Sequence, residues 1–303
     1  MRRSLLALAF ALWPAALSAQ PATRAILTDK LRASLGEIAR TTDGVLGAQI
    51  VDLATGERIG INDTLAFPTG SAIKVALLVE LYRQADVGTL SLDARLPVRA
   101  ADLAGGSGVL QGFGDGTSEL ALRDLAVLMV VLSDNSATNM LVDRVGMERV
   151  NATMRSLGLG DIVWRRKMIR PRDSWAGREN VATPAAAASL MTRIAKCDLP
   201  MSRERCQALR RVLEIPKAGP LPASVPSTIR VAWKPGSLEG ASVAWGIVDL
   251  PGRPYVVTAM VTYAGEAGAD DAIRRVADAA YAYMLRVARA SPYGVRVPLE
   301  IIR

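Results

Sequence analysis

The sequence predicts an α/β (α+β) protein: an antiparallel five-stranded sheet flanked by terminal helices, plus an all-helical lobe. Three observations predict it. Apolar residues recur at helical spacing near both ends of the chain. Short apolar runs bounded by turn residues occur in two groups, two runs early and three late. Between the groups, residues 66–212 read as helical, so strands from both ends can meet in one sheet with the helical stretch as an insert. The corresponding division is 1–19 as a leader, 20–65 with 213–303 as the sheet lobe, and 66–212 as the helical lobe.

The elements follow in order. Arg2 and Arg3, the apolar stretch Leu5 to Leu12, the breaker Pro14 and the small residues Ala16-Leu17-Ser18-Ala19 have the layout of a cleavable secretory signal. That stretch is too short to span a bilayer, and no cysteine precedes Cys197 to carry a lipid. A secreted or periplasmic protein without a membrane anchor is the expectation. Ala25 to Ala39 then places Ile26, Leu31, Leu35 and Ile38 at helical spacing. Val45 to Leu53 reads as a strand, Ala54-Thr55-Gly56-Glu57 as a turn, and Arg58 to Ile61 as the returning strand of a hairpin.

Helices are expected over Ser71 to Arg83, Leu120 to Leu132, Ala137 to Val145 and Glu148 to Leu157. Another opens at Thr183-Pro184, with threonine as N-cap and proline at the first position. Strands return at Thr228 to Trp233, Ser242 to Leu250 and Tyr255 to Thr262, the last two joined by a Pro251–Pro254 turn. The final helix, Asp270 to Ala288, carries Ile273, Val276, Ala280, Tyr281, Met284 and Leu285 on one face.

Composition narrows the function classes. The chain has 303 residues, half of them hydrophobic, which suffices for a large core. Its net charge is +8, but the arginines are scattered, and only five tryptophans and three phenylalanines are available for base stacking. A solvated basic surface is favoured over nucleic-acid binding, and an anionic small molecule or cell-wall surface also suits the charge. There is no histidine, which excludes a Ser-His-Asp triad and any His-ligated zinc. Cys197 and Cys206, the only cysteines, flank a helix-breaking Asp198-Leu199-Pro200. In an oxidising compartment they could form a short local disulfide; two buried thiols is the alternative. No metal or cofactor is expected, and the protein is expected to act as a monomer.

Three motifs carry chemistry. Ser71-Ala72-Ile73-Lys74 puts a hydroxyl and an amine three residues apart at a helix start, on one face. A partly buried lysine can give up its proton and serve as base, and the helix N-terminus offers N–H groups to an oxyanion. Taken alone, this is a serine cap followed by a helical lysine. Ser133-Asp134-Asn135 lies between two helices and reads alone as an N-cap cluster. Functionally, Ser133 shuttles a proton, Asn135 contacts a substrate amide and Asp134 is a structural support. Lys234-Pro235-Gly236-Ser237 ends the Thr228–Trp233 run. There Lys234 offers charge to a carboxylate, Gly236 lets substrate approach the backbone, and the Ser237 N–H joins that of Ser71 in an oxyanion hole.

In order, spacing and element type, this set resembles the class A β-lactamase-like serine hydrolases of the β-lactamase/penicillin-binding protein superfamily. The flanks Phe67–Ser71, Gly106–Leu110, Leu132–Asn139, Arg178–Pro184 and Lys234–Val248 resemble that family too. The resemblance implies that Ser71 attacks a β-lactam carbonyl, Lys74 deprotonates it directly or through a relay, and Ser133 protonates the leaving nitrogen. It further implies that Asn135 binds the acyl amide, Lys234 holds the substrate carboxylate, and the Ser71 and Ser237 N–H groups stabilise the oxyanion. A cell-wall peptidase or esterase, or a penicillin-binding module that is acylated but turns over poorly, are the alternatives.

Two departures matter. Pro235 stands where the family carries a hydroxyl residue. The loop Arg165–Arg178, where the family places the glutamate that activates the deacylating water, contains no glutamate, and Asp173 is its only carboxylate. Asp173 is either a shorter substitute or a solvated loop aspartate, and Glu179 reads as an anchor of the loop.

Overall fold

The computed structural model describes residues 22–291 and 293–298, so the expected leader lies outside the described residues. The chain starts with α1 (Ala22–Thr41), then β1 (Val45–Asp52) and β2 (Arg58–Ile61). The insert holds α2 (Lys74–Asp86), α3 (Leu122–Val131), α4 (Asn135–Val145), α5 (Met147–Ser156), α6 (Pro171–Trp175), α7 (Pro184–Lys196) and α8 (Arg203–Glu214). Three strands follow, β3 (Val231–Leu238), β4 (Ala241–Val248) and β5 (Tyr255–Thr262), and then α9 (Glu266–Ala288).

The five strands form one antiparallel sheet in the order β2-β1-β5-β4-β3. Alternate side chains supply its two faces. Leu46, Ala48, Ile50, Ala244, Val257 and Ala259 form one core with Leu35 of α1 and Val276 of α9. Val51, Val243, Trp245, Ile247 and Met260 form the other with the helical insert. β4 is buried along its whole length, as a central strand covered on both faces must be.

Lys234 stands opposite Trp245 in the β3–β4 register. Trp245 lies in the core facing the insert, whereas Trp233 packs under the terminal helices. Strand alternation therefore turns Lys234 toward the insert.

Several element bounds differ from the sequence reading. The strand expected over Thr228–Trp233 begins at Val231 and continues to Leu238, so the lysine motif lies within the strand. Pro235 is compatible with this because β3 is an edge strand. The last helix begins one turn early, at Glu266. Helix α8 is absent from the sequence reading, although Ser202 caps it and Cys206, Leu209 and Leu213 make a buried stripe. A disulfide joins Cys197, just past the end of α7, to Cys206 on α8, with Cα atoms 5.6 Å apart.

Candidate active site

Ser71 lies in a 3₁₀ turn, Gly70–Ile73, that leads into α2 rather than in the α-helix itself. In a 3₁₀ turn residues i and i+3 eclipse, which keeps Ser71 and Lys74 on one side. The turn presses against β3, and two glycines permit it. A Cβ on Gly70, whose φ is +47°, would stand 2.9 Å from Ser237 N. A Cβ on Gly236 would stand 2.7 Å from Ala72 N and 2.8 Å from Ser71 N. Gly236 thus lets the turn that carries Ser71 approach the strand, and it also lines the cleft. Backbone N–H groups alternate along a strand, so positions 235 and 237 present theirs to the same side. A proline at 235 is tolerated where that side is the open edge, and Ser237 N lies against the turn that carries Ser71.

The second wall is the turn between α3 and α4. Ser133 has a left-handed φ of +54°, a conformation that costs a serine something and re-aims its side chain. Asp134 is the N-cap of α4: its Oδ1 accepts from Ala137 N at 2.9 Å. Its Oδ2 accepts from the N–H groups of Val109 and Leu110 at 2.7 and 2.9 Å. Ser107 Oγ donates to Ser133 O at 2.8 Å, and Asn135 Nδ2 donates to Gly105 O at 3.0 Å. The 105–110 loop is therefore stapled to the 133–135 turn. Ser107 entered the sequence reading only within the Gly106–Leu110 flank, with no role of its own.

Lys74 and Lys234 are both fully buried. Lys74 Nζ donates to Ser133 O (2.7 Å), Asn135 Oδ1 (3.0 Å) and Ser133 Oγ (3.2 Å). Ser71 Oγ makes no hydrogen bond among the described residues, so the direct Ser71–Lys74 pairing expected from spacing gives way to a lysine bonded to Ser133. Lys234 Nζ donates to the same Ser133 Oγ at 3.0 Å and to Pro235 O at 2.9 Å. One hydroxyl thus links two lysines from elements 160 residues apart in sequence.

Burial disfavours an ammonium, because its water shell is lost. It lowers Lys74 to about 7, against a smaller opposing pull from the Asp134 carboxylate. Burial also holds Lys234 well below the ordinary lysine range, helped by the nearby charges of Lys74 and Lys217.

Ser71, Ser133, Asn135, Gly236 and Ser237 line a cleft of about 450 Å³ together with Arg166, Met168 and Ile169 from the loop, while Lys74 and Lys234 are not among its lining residues. That loop is anchored by Glu179, which binds Arg166 and accepts from Ser174 Oγ. Asn180 Oδ1 accepts from the N–H groups of Arg165 and Arg166 at 2.7 and 3.0 Å. Asp173, on α6, is not among the residues lining the cleft. It pairs with Arg178 at 2.6 Å, and that hydrogen bond holds its carboxyl below the usual range. The loop residues that line the cleft are Arg166, Met168 and Ile169, and the sequence reading gave none of them a role.

A mixed structure with a five-stranded antiparallel sheet, a helical insert and this cleft defines a β-lactamase/transpeptidase-like fold. The family model described as "Beta-lactamase enzyme family" matches residues 27–284, and the chain belongs to that family, as a hydrolase acting on β-lactam amides. It is 30% identical over 226 residues to β-lactamase L2 of Stenotrophomonas maltophilia, covering 71% of this chain and 73% of that protein. The structure of a β-lactamase from Sphaerobacter thermophilus is similar at 33% identity and TM-score 0.76, covering 85% of this chain and 97% of the other. PBP-A is similar at 26% identity and TM-score 0.77, covering 85% and 95%. A substituted PBP-A has also been solved as an acyl-enzyme complex with penicillin G.

Proposed function

We propose that the protein is an exported β-lactam hydrolase that works through an acyl-enzyme on Ser71 and releases that acyl group slowly. The convergence of Lys74 and Lys234 on the Ser133 hydroxyl, beside Ser71, carries the reading. With its proton affinity lowered to about 7, Lys74 is neutral in a large fraction of molecules at pH 7. A neutral amine withdraws the Ser71 proton, directly or through Ser133, as Oγ attacks the lactam carbonyl. The proton then passes through Ser133 to the lactam nitrogen as the C–N bond breaks, leaving an ester on Ser71. N–H groups of Ser71 and Ser237 hold the oxyanion, a contribution of about 10²–10³ in rate per donor. A substrate carboxylate beside Lys234 restores that ammonium, since an opposite charge favours the charged form. Asn135 contacts the acyl amide. Pro235 removes a hydroxyl contact to the carboxylate and leaves the rest.

Deacylation needs an activated water. A well-placed general base contributes about 10²–10⁴-fold, and the loop carboxylate Asp173 is engaged by Arg178 away from the cleft. That observation favours a second reading, a penicillin-binding module that is acylated and turns over poorly; the two differ only in the rate of release. Export is supported by the leader-like residues 1–19 and by the Cys197–Cys206 disulfide, which suits an oxidising compartment. No helix among the described residues is long and apolar enough to cross a membrane.

The test is intact mass after mixing the protein with a chromogenic cephalosporin. A ring-opened adduct is expected on the native protein and none on Ser71→Ala. An adduct that survives the substitution refutes the site assignment.

A further inference from the structure

The short helix α6 carries an exposed tryptophan among arginines. Trp164, Trp233 and Trp245 are buried, each at most 1% exposed, whereas Trp175, the last residue of α6, is 94% exposed. An aromatic side chain of this size gains more from burial than almost any other, and a solvated loop has no need of one at its surface. Residues 165–179 also hold six cations against two carboxylates. Both carboxylates are taken: Asp173 pairs with Arg178, and Glu179 with Arg166. Lys167 pairs with Asp143. Arg170 and Arg172 are exposed and have no ion pair among the described residues.

The local fold sorts inner from outer residues. The N–H groups of Asp173 and Ser174 donate to Arg170 O at 3.1 and 3.2 Å, which starts the helix at Arg170. Ser174 Oγ donates to Glu179 Oε2 and fastens that side of α6 to the base of the loop. Residues three apart share a helix face, so Arg172 and Trp175 stand together. None of Arg170, Arg172 and Trp175 lines the active-site cleft, so this face is separate from it.

An indole has an apolar body and one polar N–H, and it settles at the headgroup level of a bilayer. Guanidinium groups beside it are drawn to a negatively charged lipid surface. A soluble polyanion would satisfy the arginines but offers the indole no apolar layer to enter. We propose that the α6 face docks on an anionic phospholipid surface, with Trp175 at the headgroup level and Arg170 and Arg172 against the lipid phosphates. One ring and two free cations give reversible binding, well short of an anchor.

The experiment is sedimentation of the protein with vesicles of phosphatidylcholine, alone or mixed with an equal part of phosphatidylglycerol, while tryptophan emission is recorded. Trp175 is the one exposed tryptophan among the described residues, so a blue shift reports on it. The mixed vesicles are expected to bind the protein and shift its emission to the blue. Neutral vesicles should do neither, and 1 M salt, which screens charges beyond about 3 Å, should release the protein. Trp175→Ala is expected to weaken binding about tenfold or more and to abolish the shift. Arg172→Glu, which reverses one charge, should also weaken it about tenfold or more, since each cation near such a surface contributes about fivefold. Both positions are exposed, and circular dichroism checks that both variants fold. No binding to the mixed vesicles, equal binding to neutral ones, or binding that either substitution leaves untouched overturns the proposal. A blue shift that grows with protein concentration without lipid also overturns it, by showing that a second copy covers Trp175. So does binding to polyphosphate as strong as to the mixed vesicles, by assigning the arginines to a soluble polyanion.

Discussion

Lys74, Ser133, Asp134, Asn135 and Lys234 are bonded to one another or to backbone at 3.2 Å or less, and four of the five are buried. The facing loop, residues 165–178, ties its charges into ion pairs: Arg166, which also lines the cleft, with Glu179, Arg178 with Asp173, and Lys167 with Asp143. On the proposed mechanism, one wall of the cleft holds the residues that would make an ester, and the loop presents Arg166, Met168 and Ile169 to the cleft but no carboxylate. The contrast teaches that the two halves of a hydrolytic cycle can be built to different standards on one fold. On the proposed mechanism, acylation would use the fixed donors and the low-affinity lysine, and deacylation would use a carboxylate that the loop does not aim inward.

The largest effect expected on the first wall is from Lys74→Met. It removes the base and is expected to slow acylation by about 10²–10⁴-fold, measured as the rate of adduct formation. The sign of the pH dependence follows from Lys74. Its folded value of about 7 means that raising the pH through 7 produces the neutral base. Acylation of the native protein should fall about tenfold per pH unit below 7 and level off above it, and this limb should vanish in Lys74→Met. A flat native profile between pH 5 and 7 separates Lys74 from the proton transfer.

A smaller effect tests the joint between the nucleophile turn and β3. Gly236→Ala places a Cβ 2.7 Å from Ala72 N, which the backbone must yield to. Overpacking of this kind costs about 1–3 kcal/mol, read from the midpoint of chemical denaturation, and slower acylation should accompany it. No change in either would mean that the turn and strand do not depend on this approach. The smallest effect belongs to the opposite wall. Asp173→Asn should leave acylation and deacylation within about twofold, because Asp173 faces Arg178 and not the cleft. A loss of deacylation by a factor of a hundred would make Asp173 the missing base and erase the contrast between the walls.

The acylation wall was legible in the sequence because its residues are also local-structure signals. Ser133-Asp134-Asn135 marks a helix start, and Asp134 does cap α4. The turn residues around Ser71 and the β3–β4 pair were legible for the same reason. What escaped is non-local. The apolar run alone stops at Trp233, and the continuation of β3 through Pro235 was legible only through the Lys234–Val248 resemblance and the tolerance of proline at an open edge. The roles of Gly70 and Gly236 appear only when turn and strand are brought together. Ile169 gives no residue-type cue at all, since its left-handed backbone is imposed by hydrogen bonds at Met168 and Arg170 from elements on either side.

The most direct test of the central claim is pre-steady-state kinetics with a chromogenic cephalosporin, followed together with intact mass. The account predicts a burst of one ring opened per molecule, then slow turnover during which nearly all protein carries the Ser71 adduct. Linear turnover from the first turnover onward, with unmodified protein dominant in the mass spectrum, would contradict it.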